Sequence, residues 1–525
     1  MHLSLHAAEG TAIGQVVAVQ GAAVTGLLAE GDAGLAVRLG DLVAMPTARG
    51  RSYGMVHALR RGRRSGDAPS LEIQLLGERG EVDGTVCFRR GVSACPGLDA
   101  PILRAARAEA ALVHAAADTT RVRVGSLRQD PEIAAHLATD ALLGRHFAVL
   151  GSTGSGKSCA VTVVLRAILD AHPCAHILLI DPHNEYGAAF GKRALRLDPT
   201  NLELPYWLLT FEEIAAILAS GSGERAYAEG AILREAILRA KQLHAGERAQ
   251  SAHFTVDTPV PYRLSDLARL IEDAMGHLNK PENATAYRHL LARIATVRDD
   301  RRYAFMFQSL ILRDNLDAIL GRLFRIPVAG QPVTLLDISG VPAEIVNVVV
   351  SVLSRMIFEF ALWAGAEASP PLLLVCEEAH RYIPGDGAAA FEPTRRAIDR
   401  IAKEGRKYGV SLCLVSQRPA ELSASSLSQC GTILALRMSN ERDLEFVRNV
   451  MPDGFDWLVR DLPGLATGEA VAVGQAVQVP MQIRFDPLPP ADQPSSRTPA
   501  FSTAWTRETD DDTLLARTIR RWRHQ

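Results

Sequence analysis

The chain has 525 residues, of which 47% are apolar and 22% charged, which excludes a disordered or fibrous protein and predicts two or three globular domains. Its 57 basic and 59 acidic residues give a net charge of -2, so any attraction for nucleic acid must be local rather than global. The seven cysteines are scattered and show no C-x-x-C spacing, which argues against a zinc site or redox pair and favours a reduced, cytoplasmic protein.

The N-terminal region, residues 1–100, is predicted to be a β domain. Short runs such as IGQVVAVQ, LVAMPT and SLEIQLLG alternate with Gly- and Pro-containing turns, as in a small barrel or sandwich. The basic segment RRGRRSGDAPS is predicted to be an exposed hairpin loop, with a contact to a partner or to DNA as the alternative. The first residues, MHLSLHAAEG, lack a signal-peptide pattern, so export is not expected.

Residues 101–490 are predicted to form an α/β core with a mostly parallel sheet. From His146 the pattern is strand, glycine-rich turn, helix and strand, which is a βαβ unit. Helical periodicity replaces strand signals over residues 210–330, which predicts a helical insertion. Apolar strands then resume at VTLLDIS, PLLLVCEE, VSLCLVSQ and GTILALRM, as expected for parallel strands buried on both faces.

Two further segments are interpreted from composition. The apolar stretch from Val346 to Gly365 carries Arg355 and Glu359 in its middle, which suits a core helix better than a membrane span. Residues 491–525 are Pro-, Ser- and Thr-rich and end in TDDDTLLARTIRRWRHQ, which predicts an extended arm with a short terminal helix. That tail either straps a neighbouring subunit or is disordered.

The octapeptide GSTGSGKS fits the phosphate-loop pattern G-x-x-x-x-G-K-[ST] between a strand and a helix. Its glycines let backbone N–H groups approach phosphates, Lys157 reaches the β- and γ-phosphates, and Ser158 can bind Mg²⁺. The predicted nucleotide-binding residues are Gly151, Ser152, Thr153, Gly154, Ser155, Gly156, Lys157 and Ser158.

Acidic residues follow two of the predicted strands. Glu377 and Glu378 end the run PLLLVCEE, which predicts Glu377 as a metal ligand and Glu378 as the general base that activates water. Asp181, in HILLIDPHNEYG, is a candidate at the next strand after the phosphate loop, followed by His183 and Glu185. A plain turn role explains Asp181 equally well.

The run RIAKEGRKYGVSLCLVSQRPAEL carries a basic helix end and a strand that finishes at Ser416 and Gln417. Arg406 is predicted to be an arginine finger supplied to a neighbouring subunit, although a solvated basic face with Arg400, Lys403 and Lys407 is the alternative. Gln417 is predicted to orient or sense the γ-phosphate, with a structural amide as the alternative.

Together, HFAVLGSTGSGKS, ILLIDPHNEY, LLLVCEEAHRYIP and IAKEGRKYGVSLCLVSQRPAELSASSLSQC resemble the HerA branch of the HerA and FtsK superfamily, in both order and spacing. The resemblance covers roughly residues 1–490 and implies an N-terminal HerA-type β-barrel and a RecA-like P-loop core. It also implies phosphate binding by Lys157, catalysis by Glu378, Asp181 as the acid of the second strand, and Arg406 as the finger in trans. Glu377 departs from the Asp found in many P-loop ATPases.

The resemblance further implies an ATP- and Mg²⁺-dependent homohexamer that threads double-stranded DNA through its pore. Its expected partners are a NurA-like nuclease or another effector, such as a sirtuin-like NADase in antiphage defence, with no membrane association. An ATP-gated scaffold that regulates an effector enzyme is the alternative, and DNA-stimulated hydrolysis separates the two because coupling between sites is reciprocal. A conjugation or secretion ATPase is a weaker reading, because no membrane helix is predicted.

Overall fold

The structure is a computed structural model, and it divides into two compact units. The first unit contains Met1–Pro173, Glu378–His380 and Ser411–Pro490, and the second contains Cys174–Glu377, Arg381–Val410 and Ala491–Gln525. The structure describes residues 11–29, 37–61, 68–115, 120–219, 224–245, 254–277, 284–308, 313–341, 343–365, 368–385, 391–451, 454–495, 501–506 and 513–523.

An antiparallel β-barrel begins the first unit. Its strands are β1 (Ala12–Gln20), β2 (Ala23–Leu28), β3 (Leu42–Thr47), β4 (Gly50–Arg60), β5 (Ser70–Val82), β6 (Thr85–Arg90) and β7 (Pro101–Arg104). They are ordered β2-β1-β7-β3-β4-β5-β6, and an additional pairing of β2 with β5 closes six of these strands into a barrel, while β6 extends the sheet beyond β5. The barrel predicted from the sequence is therefore confirmed.

The barrel closes because alternate side chains of its strands are apolar and point inward. Its core contains the fully buried Val16, Val43, Val56, Ile73 and Ile102. Strand β7 lies between β1 and β3 and pairs with both. The barrel thus extends to Arg104, four residues beyond the predicted boundary at residue 100.

The helices and strands of the core follow in chain order. The first are α1 (Arg107–His114), β8 (Arg121–Leu127), β9 (Ala134–Ala138), α2 (Thr139–Leu143), β10 (Phe147–Leu150), α3 (Lys157–Ala171), β11 (His176–Asp181) and β12 (Ala194–Leu197). The next are α4 (Phe211–Leu218), α5 (Glu224–Ala245), α6 (Leu264–Gly276), α7 (Ala284–Asp299), α8 (Ala304–Phe307) and α9 (Leu316–Phe324).

The remaining elements carry the chain to its end. They are β13 (Val333–Asp337), α10 (Ala343–Ala364), β14 (Leu372–Cys376), α11 (Glu392–Glu404), β15 (Val410–Ser416), α12 (Ala424–Leu427), β16 (Thr432–Leu436), α13 (Glu441–Val450), α14 (Asp456–Asp461), β17 (Glu469–Gly474), β18 (Met481–Phe485), α15 (Phe501–Ala504) and α16 (Leu514–Arg523).

The sheet of the first unit combines parallel and antiparallel strands. Its order is β15-β10-β16-β17-β18-β8-β9, and β15 belongs to this unit except for its first residue. Strand β10 runs parallel to both β15 and β16, and every residue of these strands is buried, as the apolar runs predicted. The antiparallel extension through β17, β18, β8 and β9 was not predicted.

The second unit contains a parallel sheet and the helical insertion. Its strands are ordered β12-β13-β11-β14, with Asp181 of β11 opposite Asp337 of β13. Helices α4 to α9 lie between β12 and β13 in the chain, within the predicted insertion at residues 210–330. In α10, the segment Ile345–Ala364 is long and apolar enough to cross a membrane, and 72% of its most apolar window is buried inside the protein.

Several predicted surface segments lie partly or wholly outside the described residues. These are residues 1–10, residues 62–67 of the basic loop, and residues 496–500, 507–512 and 524–525 of the tail. The predicted terminal helix is present as α16, where Leu515 and Trp522 are exposed.

Candidate nucleotide site

The glycine-rich loop of the first unit connects β10 to α3 in the strand, turn and helix order that the sequence predicted. Gly154 and Gly156 have φ of 76° and 93°, in the left-handed region where a side chain is strained. A Cβ on Gly156 would also lie 2.9 Å from the backbone nitrogen of Gly468. The loop therefore requires glycine at this position for both conformation and space.

The start of α3 is suited to bind an anion. Gly156 is its N-cap and has no side chain that could accept hydrogen bonds from the first turn. Lys157, the first helical residue, is 5% exposed, so water screens its charge poorly. The Ser155 hydroxyl is buried and has no hydrogen-bond partner among the described residues. A helix N-terminus, a buried lysine and an unsatisfied hydroxyl fit the phosphates of a nucleotide.

A chain of polar side chains joins the loop to Glu378 within the first unit. The Thr153 hydroxyl donates to Gln417 Oε1, and Gln417 Nε2 donates to Glu378 Oε1. Glu378 is only 4% exposed, and its φ of 53° is rare for a residue with a side chain. The predicted amide and the predicted base are therefore brought together beside the phosphate loop, and the strained backbone fixes the carboxylate there.

His380 also contacts Glu378 and was missed in the sequence. Its Nδ1 lies 3.3 Å from Glu378 Oε2 and 3.1 Å from Ser416 Oγ. The Ser416 hydroxyl in turn accepts the backbone N–H of Arg418 at 3.0 Å. The signal was available in the sequence EEAH, where a histidine follows the predicted base by two residues.

Arg437 is a second residue that the sequence reasoning missed. It follows β16, which is parallel to β10, so its backbone lies beside the beginning of the phosphate loop. Ser152 donates to the Arg437 carbonyl through both its N–H, at 3.0 Å, and its hydroxyl, at 2.9 Å. The sequence did contain a signal for Arg437. Like Gln417, it is a polar residue that follows a strand adjacent to β10, the strand that leads into the phosphate loop.

In the second unit, Asp181 caps the turn that follows β11. Its carboxylate accepts the backbone N–H groups of His183 and Glu185, both at 3.2 Å, and of Tyr186 at 3.0 Å. Burial raises the pKa of Asp181 and the nearby Asp337 adds to this, while the three N–H groups oppose it. This arrangement favours the turn role of Asp181 over a role in chemistry.

Glu377 is held by a tyrosine in the second unit. The Tyr186 hydroxyl donates to Glu377 Oε2 at 3.0 Å, and both residues are buried. Burial and the neighbouring Glu377 raise the pKa of Tyr186 well above its ordinary value, so the phenol stays a donor. A fixed donor on one carboxylate oxygen orients the other, which suits a metal ligand.

Among the described residues, no group of three or more His, Cys, Asp or Glu is placed to hold a metal.

Arg406 lies on the 3-10 turn Gly405–Tyr408 of the second unit, with an exposed side chain. The last residue of this turn, Tyr408, packs edge-on against Phe358, with ring centroids 5.5 Å apart. The guanidinium of Arg400 covers the same Phe358 ring at 4.2 Å. Arg400 thus has a packing role, while Arg406 is presented to the surface.

Residues 122–357 match the model of the family described as the central domain of the helicase HerA. The resemblance to the HerA-like ATPases of the HerA and FtsK superfamily is therefore confirmed. The chain is 27% identical over 409 residues to the DNA double-strand break repair helicase HerA of Pyrococcus furiosus, and the match covers 69% of each chain. It is also 27% identical over 369 residues to the HerA of Saccharolobus solfataricus, covering 70% of this chain and 68% of the relative.

A solved structure supports the same fold. The VirB4 protein of Thermoanaerobacter pseudethanolicus superimposes with a TM-score of 0.51 at 15% identity, covering 71% of this chain and 98% of that one. At this identity the likeness concerns the fold alone, which is a RecA-like P-loop core.

Proposed function

We propose that this protein is a HerA-like ATPase, a motor that couples ATP hydrolysis to movement along double-stranded DNA. The observation that carries the proposal is the chain from Thr153 through Gln417 to Glu378, since it connects the phosphate loop to a buried carboxylate. The names of the HerA relatives, which are DNA double-strand break repair helicases, support DNA as the substrate on which the energy is used.

In this proposal Glu378 accepts the proton of the attacking water. Its backbone strain and its contacts with Gln417 and His380 hold the carboxylate in one orientation, which removes the need to order it during the reaction. Gln417 orients the water through its amide and links this geometry to the loop that binds the phosphates. Lys157 and the N-terminus of α3 stabilise the charge on the phosphates.

Mg²⁺, when bound, neutralises phosphate charge and polarises the bond that is broken. The Ser158 hydroxyl lies in the first turn of α3, and its identity fits the ligand that P-loops offer to this ion. Within the second unit, Glu377 is oriented by Tyr186 and is proposed as a metal ligand.

The proposed assembly is a homohexamer in which Arg406 acts on the nucleotide of a neighbouring subunit. Its exposure on a turn that packs against Phe358 supports this role, because a residue that works in trans must reach beyond its own chain. A NurA-like nuclease or another effector, such as a sirtuin-like NADase, is the proposed partner that uses the DNA delivered by the ring. A cytoplasmic location completes the proposal.

The test is the steady-state ATPase rate of the purified protein with and without linear duplex DNA. Displacement of a third strand from a triplex substrate, measured in parallel, reports movement along the duplex. We expect DNA to stimulate hydrolysis and ATP to drive displacement. Glu378→Gln serves as the inactive blank, and Glu445→Gln, which changes an exposed glutamate of α13, is the matched control.

Hydrolysis that is indifferent to DNA, with no displacement, would overturn the motor. A protein that hydrolyses ATP only when mixed with an effector enzyme would instead be the ATP-gated scaffold. Loss of activity in Glu378→Gln but not in Glu445→Gln is expected in either case, since both functions use the same hydrolytic site.

A further inference from the structure

The outer face of the phosphate loop is held by two segments that the motif does not include. Arg437 Nη2 donates to the Gly154 carbonyl at 3.1 Å, and the Thr467 hydroxyl donates to the same carbonyl at 3.3 Å. The N–H of Gly468 donates to the Ser155 carbonyl at 3.0 Å. Two consecutive carbonyls of the loop are thus bound from outside.

These contacts determine which way the peptide groups of the loop point. In a trans peptide the C=O and the N–H point in opposite directions, so a donor that holds the Ser155 carbonyl outward turns the Gly156 N–H inward. Inward N–H groups are what bind the α- and β-phosphates in a P-loop. Donors on the carbonyls also polarise the peptide groups, which strengthens the N–H groups as donors.

The segment that carries Thr467 and Gly468 is itself anchored by a buried carboxylate. Glu469 is 2% exposed, and its Oε2 accepts the Ala466 N–H at 3.0 Å. Arg484 and Arg128 lie 2.9 Å and 3.1 Å from its carboxylate oxygens. Burial would raise the pKa of Glu469, but the hydrogen bonds from Arg484 and Ala466 and the two arginine charges lower it, so the group stays ionised.

We propose that Arg437, Thr467 and Glu469 form an outer clamp that positions the phosphate loop and sets its affinity for the diphosphate part of the nucleotide. All three are positioning residues, since they act through loop carbonyls or through the turn before β17. The clamp gives the antiparallel strands β17, β18 and β8 a role in nucleotide binding. This role depends on the nucleotide site of the proposed function and does not depend on movement along DNA.

The experiment measures equilibrium binding of ADP and ATP without DNA, in the Glu378→Gln background that stops hydrolysis. Thr467→Val removes the hydroxyl at nearly constant volume, and Arg437→Met removes the guanidinium but keeps a long side chain. We expect the dissociation constants of ADP and ATP to rise by the same factor, about fivefold for Thr467→Val and about tenfold or more for Arg437→Met. Thr467→Ser, which retains the donor, should bind almost as the parent.

Kinetics on the otherwise unaltered protein provide the second readout. We expect KM for ATP to rise with kcat kept within about twofold, because the clamp affects binding of the phosphates more than the hydrolytic step. The two substitutions should combine to less than the product of their effects, since both donors share the Gly154 carbonyl. Arg60→Met, which removes an exposed arginine of the barrel, is the control.

Three results would overturn the clamp. An effect on ATP alone would make Arg437 a γ-phosphate sensor, and a fall in kcat at constant KM would place it in the hydrolytic step. Unchanged affinity in both variants would leave the contacts without consequence. If Arg437→Met does not fold at the assay temperature, the test rests on the nucleotide affinities of Thr467→Val and Thr467→Ser. Failure of DNA stimulation would not affect this outcome.

Discussion

Three buried charged groups, one in the first unit and two in the second, are held in different ways. In the first unit, Glu378 is contacted by the side chains of Gln417 and His380, which can rotate. In the second unit, Asp181 is bound by three backbone N–H groups. There, Lys241 is fully buried and donates to the backbone carbonyls of Val256 and Thr258 at 2.6 Å and 2.7 Å.

Whether the partners of a buried charge are side chains or backbone groups distinguishes reactive groups from structural ones more clearly than burial does. A carboxylate whose partners are side chains can exchange them for water or phosphate as a ligand arrives. A charge whose partners are backbone groups cannot change them without unfolding the turn. We therefore expect substitutions around Glu378 to change catalysis, and substitutions at Asp181 or Lys241 to change stability.

The largest expected effect is that of Glu378→Gln on turnover. The amide keeps the size and can still meet Gln417, but it cannot accept a proton, so kcat should fall by about 10²- to 10⁴-fold. Nucleotide binding and the melting temperature should change little. Single-turnover hydrolysis at saturating ATP measures this, and a rate near that of the unaltered protein would place the general base elsewhere.

Next in size is Gln417→Leu, which removes the link between Thr153 and Glu378 without a large change in volume. The carboxylate loses a hydrogen-bond donor, so kcat should fall by about 10- to 100-fold while KM for ATP changes less. Comparison with Gln417→Asn, which keeps the amide on a shorter side chain, separates the hydrogen bonds from the packing. Equal activity of Leu and wild type would make Gln417 a structural amide.

Asp181→Asn tests the other side of the comparison. The amide retains one acceptor and turns an NH₂ group toward a backbone N–H, so the free energy of unfolding should fall by roughly 1–3 kcal/mol. The folded fraction should keep kcat within a few-fold of the unaltered protein. Urea unfolding and kcat measured on the same preparation check this. A large loss of kcat at unchanged stability would restore the catalytic role predicted for Asp181.

The smallest effect concerns pH and Lys241. Burial lowers the pKa of Lys241 to about 8 from its ordinary 10.5, with the Asp257 charge opposing this shift. Because the unfolded chain then binds more protons than the folded one above about pH 8, stability should rise with pH toward 10.5. Between about pH 7 and pH 9, this should add on the order of 1 kcal/mol to the free energy of unfolding.

Urea unfolding at these two pH values measures the slope, which Lys241→Met should abolish. Lys192→Met, at an exposed lysine of the same unit, should leave it unchanged. A slope that survives in Lys241→Met would show that another group titrates in this range, and the pH dependence would not come from Lys241.

The sequence by itself determined the local chemistry of this protein. The phosphate loop was predicted because eight consecutive residues specify it, and its glycines fix the backbone wherever the loop occurs. Glu378 and Gln417 were predicted because the carboxyl ends of parallel strands lie at one edge of a sheet. The barrel was predicted from strand-length runs and turns, without knowledge of which strands pair.

The tertiary structure alone decided which distant groups meet. Arg437 and Thr467 lie 283 and 313 positions from Gly154 in the chain, and both bind its carbonyl. That contact depends on β16 and β17 following β10 in the sheet, an order that no local pattern encodes. Local motifs therefore specify the reactive groups, whereas the packing of strands remote in the chain determines how those groups are held.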